Sequence, residues 1–156
     1  MGLRDQRTTG LADYGTSRLR NDGTTRQRKG RIMGESFRQL EVWQRAIELT
    51  FAIYRLTQSF PESERFGLTN QLRRAAVSVA SNIAEGYGRT TRGEYIQFLG
   101  HARGSISEVE TQLVIARGLG LGSPDHLDTS EELCKRTGCM LRVLLKRLRP
   151  QNPAAA

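Results

Sequence analysis

The side chains that most readily bind metals or act as nucleophiles are few in this 156-residue sequence. His101 and His126 are the only histidines, and neither has cysteine or carboxylate partners at metal-ligand spacing. Cys134 and Cys139 stand about 140° apart around a helix axis, so they share no face. They read as two reduced thiols in a cytosolic protein. An enzyme would have to use Glu85 and Glu108 as a carboxylate pair with His101 between them. The competing reading is structural: Arg74, Ser78, Asn82, Glu85 and Glu108 satisfy one another between helices and fix their register. Around them run Ser81 on one side and Glu94, Gln97, His101, Ser105 and Gln112 on the other. The run Gly118 to Ser123 faintly mimics a phosphate loop, but it follows a helix and lacks the Lys-Ser/Thr ending. It reads as a helix C-cap and turn. The sequence therefore predicts no catalytic residue, no metal site and no cofactor.

The basic residues are better organised. The formal net charge is +8, which favours polyanions as partners. Lys135, Arg142, Lys146 and Arg149 fall within about 60° of one another on a single helix, opposite its apolar face. Arg73, Arg89, Arg92 and Arg103 form a second expected group around a helix junction. Against this stands the plain alternative of a solvated face whose last-turn cations suit the helix dipole.

The elements that must position these residues are helical. Apolar residues recur at helical spacing from Ser36 to Arg149, with breaks at Pro61, Gly86-Tyr87-Gly88 and Gly118 to Pro124. Four helices are predicted, over 37–58, 65–86, 92–118 and 126–148. Thr91 and Glu94 form a capping box for the third, and Ser123-Pro124 an N-cap and first-turn pair for the fourth. Short connections predict an all-α, antiparallel up-down four-helix bundle.

The first helix has an apolar arc of roughly 220°, wider than one bundle core needs. Leu40, Trp43, Ile47, Phe51 and Tyr54 make one stripe; Val42, Ala46, Leu49, Ile53 and Leu56 make another. A second subunit is one explanation, and a central place in the helix's own bundle is the other. The second helix turns Leu68, Leu72, Ala75, Val79 and Ile83 inward. The third buries Phe98, Ala102, Ile106, Val109, Leu113 and Ala116, and carries small residues at Gly100, Gly104, Ser107 and Thr111. The fourth is expected to bury Leu133, Met140, Leu141, Leu144 and Leu148. Glycine costs about 1 kcal/mol inside a helix, so the Gly100/Gly104 track invites a packing explanation. The expected oligomer interface is accordingly Val42, Leu49, Ile53 and Leu56, or Gly100 and Gly104.

Residues 1–34 differ in kind. They hold eight basic and three acidic residues and no apolar period, and read as a disordered basic leader. No apolar run suits a signal peptide or a membrane span. Met33 is an alternative start, because Lys29-Gly30 can be encoded by AAAGGA, a ribosome-binding sequence two codons upstream. The bundle is placed at 35–149 and a flexible tail at 150–156.

Three stretches resemble a known family. They are Phe37-x-x-Leu40-x-Val42-Trp43-x-x-Ala46, Gln71-Leu-Arg-Arg-Ala-Ala-Val-Ser-Val-Ala-Ser-Asn-Ile-Ala-Glu-Gly86, and Gly104-Ser-Ile-Ser-Glu-Val-Glu-Thr-Gln112. The sequence resembles the bacterial four-helix-bundle proteins encoded in intervening sequences of 23S rRNA genes, over about 37–148. The resemblance implies a ring-shaped homopentamer. A related protein, the accessory variability determinant of diversity-generating retroelements, binds nucleic acid and a reverse transcriptase through a basic surface. Arg73, Arg74, Ser78, Asn82, Glu85, Gly86, Gly104, Ser105, Glu108 and Glu110 fall on signature positions, and no catalytic residue comes with them. The leader departs from the family pattern, which begins close to Phe37. The resemblance thus implies a cytoplasmic, non-enzymatic oligomer that binds structured RNA or DNA. The alternative is an oligomeric scaffold for a protein such as a reverse transcriptase. Residues 35–156 carry +3, and five copies would present about +15.

Overall fold

The computed structural model describes residues 36–148; the expected leader, the tail and Arg149 lie outside them. Four helices make up the fold: α1 (Glu41–Thr57), α2 (Leu68–Gly88), α3 (Arg92–Gly118) and α4 (Pro124–Leu148). Each packs on two others, α1 on α2 and α4, and α3 on α2 and α4, so α1/α3 and α2/α4 are the diagonals of a square. This is the antiparallel all-α bundle that the short connections imply.

Local chemistry sets the ends. Phe37–Gln39 forms a separate 3-10 turn, with the Ser36 hydroxyl accepting from the Arg38 amide, and extended Leu40 delays α1 to Glu41. A second 3-10 turn, Glu62–Glu64, follows Pro61, and Gly67 (φ −96°, ψ −120°) holds α2 back to Leu68. The Thr91–Glu94 capping box opens α3. Its hydrogen bond to the Thr91 hydroxyl lowers the Glu94 carboxyl below the usual range. Ser123 caps α4 by accepting from the His126 amide at 3.3 Å. After α3, Gly120 takes φ +66° while the Leu121 amide reaches back to the Ala116 carbonyl at 2.9 Å. That is a helix-ending turn of the expected kind.

Gly86 does not break α2. The helix runs on to Gly88, and Gly86 is buried where α3 crosses closely. A Cβ at this position would lie 2.7 Å from Phe98 Cβ and 3.1 Å from Tyr95 Cδ2. Gly86→Ala is therefore expected to lower the unfolding free energy by about 1–3 kcal/mol, despite the better helix propensity of alanine. At Gly104 a Cβ would meet nothing within 4 Å. Gly104→Ala should raise monomer stability by up to about 1 kcal/mol, and urea unfolding of both variants checks the pair.

The core corrects three expectations. Val42, Leu49, Ile53 and Leu56 are buried in the chain's own core, so they are not a subunit interface. The second apolar stripe of α1 is the one left partly uncovered, with Phe51 and Tyr54 exposed. On α3 the core takes Leu99 fully, while Phe98 is half-buried at the edge. On α4 the buried line is Leu127, Ser130, Cys134, Thr137, Leu141 and Leu145, and Leu133, Met140, Leu144 and Leu148 sit beside it, partly covered. Two polar residues hide this register. Ser130 and Thr137 enter the core because their hydroxyls donate to the His126 and Leu133 carbonyls, both at 2.7 Å.

Candidate nucleic-acid interface

On α4, Lys135, Arg142 and Lys146 are all exposed. Their row lies on the side of the helix turned toward α3. Gly138 sits within that side and lets α3 approach: a Cβ there would stand 3.1 Å from Ile106 Cγ2. The buried Cys134 thiol also points at α3, toward the Ile106 carbonyl at 3.7 Å. Burial pushes this thiol up to about 12, with Glu110 and Glu131 adding to the rise. Iodoacetamide at pH 8 should therefore label exposed Cys139 in the folded protein and Cys134 only after unfolding.

The result is a groove of about 630 Å³ between α3 and α4, whose lining includes Arg103, Ser107, Lys135, Cys139 and Arg142. Arg103 thus joins the α4 row across the groove. It shares one side of α3 with Glu110 and Arg117, seven and fourteen residues on, and that spacing is the sequence signal that it faces α4. The groove is electrically uneven. Toward the 119–123 connection, Arg117 is held by Glu131 at 2.8 Å and Asp128 at 2.6 Å, which keep its guanidinium firmly charged but neutralised. Toward the C-terminal end of α4, no carboxylate pairs with Arg103, Arg142 or Lys146 among the described residues.

The second expected basic group does not assemble. Arg73 and Arg89 stand sixteen positions apart along α2, roughly 24 Å. Arg73 donates to Thr57 Oγ1 at 2.8 Å and lies over the Tyr54 ring at 4.8 Å, on the α1/α2 side. Arg89 pairs with Glu85 and lies over the Phe98 ring at 4.5 Å. Arg92 donates to the Leu148 carbonyl at 2.8 Å and so caps α4. Only Arg103 of the four lines the groove.

The polar network is smaller than expected. Asn82 donates to the Ser78 carbonyl at 2.8 Å and to Ser78 Oγ at 3.0 Å, and Ser105 bridges from α3 to Ser78 Oγ at 3.0 Å. Glu85 turns to Arg89 instead. Arg74 and Glu108 are exposed and make no hydrogen bond or ion pair among the described residues. The contacts Ser78–Ser105 and Gly86–Phe98 set the α2/α3 register, and in it Glu108 lies about 15 Å along the bundle from Glu85. That distance forbids a shared catalytic proton. Among the described residues no group of three or more His, Cys, Asp or Glu is placed to hold a metal ion, and no helix is long and apolar enough to cross a membrane.

This architecture and its signature positions have known counterparts. Residues 38–143 match the family described as 23S rRNA-intervening sequence protein. The chain belongs to that family. A solved structure of a protein of unknown function, from the S23 ribosomal protein family of Bacteroides thetaiotaomicron, is similar in fold. It has a TM-score of 0.60 at 19% identity, covering 67% of this chain and 98% of that one. No curated protein matches. Within the 23S rRNA-intervening sequence family match, the span includes Arg103, Lys135 and Arg142 but stops short of Lys146.

Proposed function

We propose that this chain is a cytoplasmic, non-enzymatic accessory protein that binds structured RNA or DNA through the α3/α4 groove, as a homo-oligomer. The observation that carries the reading is the groove itself, where Arg103 from α3 meets Lys135 and Arg142 from α4 with few carboxylates at the basic end. Phosphate contacts position a nucleic acid without reading its sequence, so binding is shape-led and tolerant of sequence. The groove lining contains no aromatic side chain on which bases could stack. A pentamer, as the family resemblance implies, repeats the groove five times and raises affinity through multivalency. Affinity for a structured RNA and a duplex DNA is to be titrated at several salt concentrations. The logarithm of the association constant should fall linearly with the logarithm of salt, with a slope of about −0.9 for each duplex phosphate neutralised. A salt-independent affinity, or none at low salt, overturns the proposal.

A further inference from the structure

The described residues leave two apolar patches open to solvent. One lies on the α1/α2 side, where Phe66 is 84% exposed, Phe51 58%, and Tyr54 and Val77 each 42%. The other lies at the C-terminal end of α3, where Leu119 is 64% and Ile115 45% exposed. Apolar patches of this kind on a small bundle mark protein contacts. We infer that the first patch of one copy docks on the second patch of the next, in a head-to-tail contact that closes into a ring. This rests on the homo-oligomer part of the reading above and gives it an interface.

Charge favours this pairing over like with like. Arg65, Arg73 and Arg74 share a groove with Tyr54 and Phe66. Glu108 stands seven residues before Ile115, on the same side of α3. Two copies of the first patch brought face to face would set arginines against arginines, whereas the head-to-tail contact sets Arg74 against Glu108. Both groups are exposed and without a partner of their own among the described residues.

Axial level argues for closure. In the α2/α3 register fixed by Ser78–Ser105, Glu108 lies level with Ala75, one residue from Arg74, and Ile115 lies level with Leu68, two residues from Phe66. A sideways step with almost no rise therefore aligns charge with charge and apolar with apolar. Repetition of a head-to-tail contact without rise gives a ring, and with rise a filament. Gly100 and Gly104 continue the α3 side of the contact, and neither would bring a Cβ within 4 Å of anything in its own chain. An approaching helix can therefore come close there.

The test uses the full chain, with mass measured by light scattering at tens of micromolar. Phe51→Glu spoils one patch and Ile115→Glu the other; both positions are exposed, and unchanged helical circular dichroism confirms folding. Each variant alone should fall to monomer. Their equimolar mixture should give a one-to-one dimer and nothing larger, since one intact junction remains. Independently, Arg74→Glu should weaken assembly at least tenfold, and adding Glu108→Arg to the same chain should restore it. If either glutamate variant assembles like the wild type, or the mixture stays monomeric, the head-to-tail contact is wrong. A monomeric wild type overturns both the contact and the homo-oligomer, and leaves binding of nucleic acid by the α3/α4 groove to its own titration.

Discussion

Replacing Lys135, Arg142 and Lys146 together by glutamate should cut affinity for structured RNA and duplex DNA by about a hundredfold near 0.1 M salt. Each replacement turns an attraction for phosphate into a repulsion on one side of a single groove. The salt dependence should flatten by about 0.9 in slope for each duplex contact removed. The loss should be similar for unrelated sequences, because phosphate contacts read none. Reversal of Arg45 and Arg136 is the charge control. Those two are paired with Glu48 and Glu132 and lie outside the groove, so their replacement should change affinity only a few-fold. The chain begun at Met33 should keep most of the groove's binding. If binding instead disappears with residues 1–32, those residues are the binder. If the triple variant keeps the wild-type affinity and slope, the α4 row is only a solvated face.

Helix content was legible because it rests on local patterning. Apolar spacing located all four helices, and the capping box at Thr91–Glu94 and the Ser123-Pro124 start fell where side-chain chemistry demands them. Errors came where tertiary packing outranks local preference. Gly86 and Gly88 look like a helix stop in one dimension, but α3 packs closely enough to require a residue without a side chain. Ser130 and Thr137 look like surface residues, and counting them as polar turned the expected α4 core face away from the true one. Their hydroxyls bond within the helix, so burial costs them little.

The candidate site was legible by half. Angular position on α4 follows from spacing alone, and it placed Lys135, Arg142 and Lys146 in one row. Which helix that row faces is a property of the bundle, so Arg103 was grouped with Arg73 and Arg89 rather than with α4. Sequence distance misled there. Arg73 and Arg89 share a helix yet lie near opposite ends of it, whereas Arg103 and Arg142 are 39 positions apart in sequence and line the same groove.

The breadth of the apolar arc on α1 raised the sharpest ambiguity, and one substitution separates its two meanings. Leu49 is fully buried in the bundle core, between the stripe that faces inward and nothing that faces another copy. Leu49→Ala should cost about 2–5 kcal/mol of unfolding free energy, the range for emptying a leucine site that cannot collapse fully. That is a large share of the roughly 5–15 kcal/mol by which domains are stable. The midpoint of urea unfolding should fall steeply, while the mass of the still-folded protein stays that of the wild type. Gly104→Leu should do the reverse. The added side chain meets nothing in its own chain, so helicity should survive while assembly weakens. If Leu49→Ala instead releases stable folded monomers, the Val42–Leu56 stripe is an interface after all, and the core of the isolated chain must be closed by other residues.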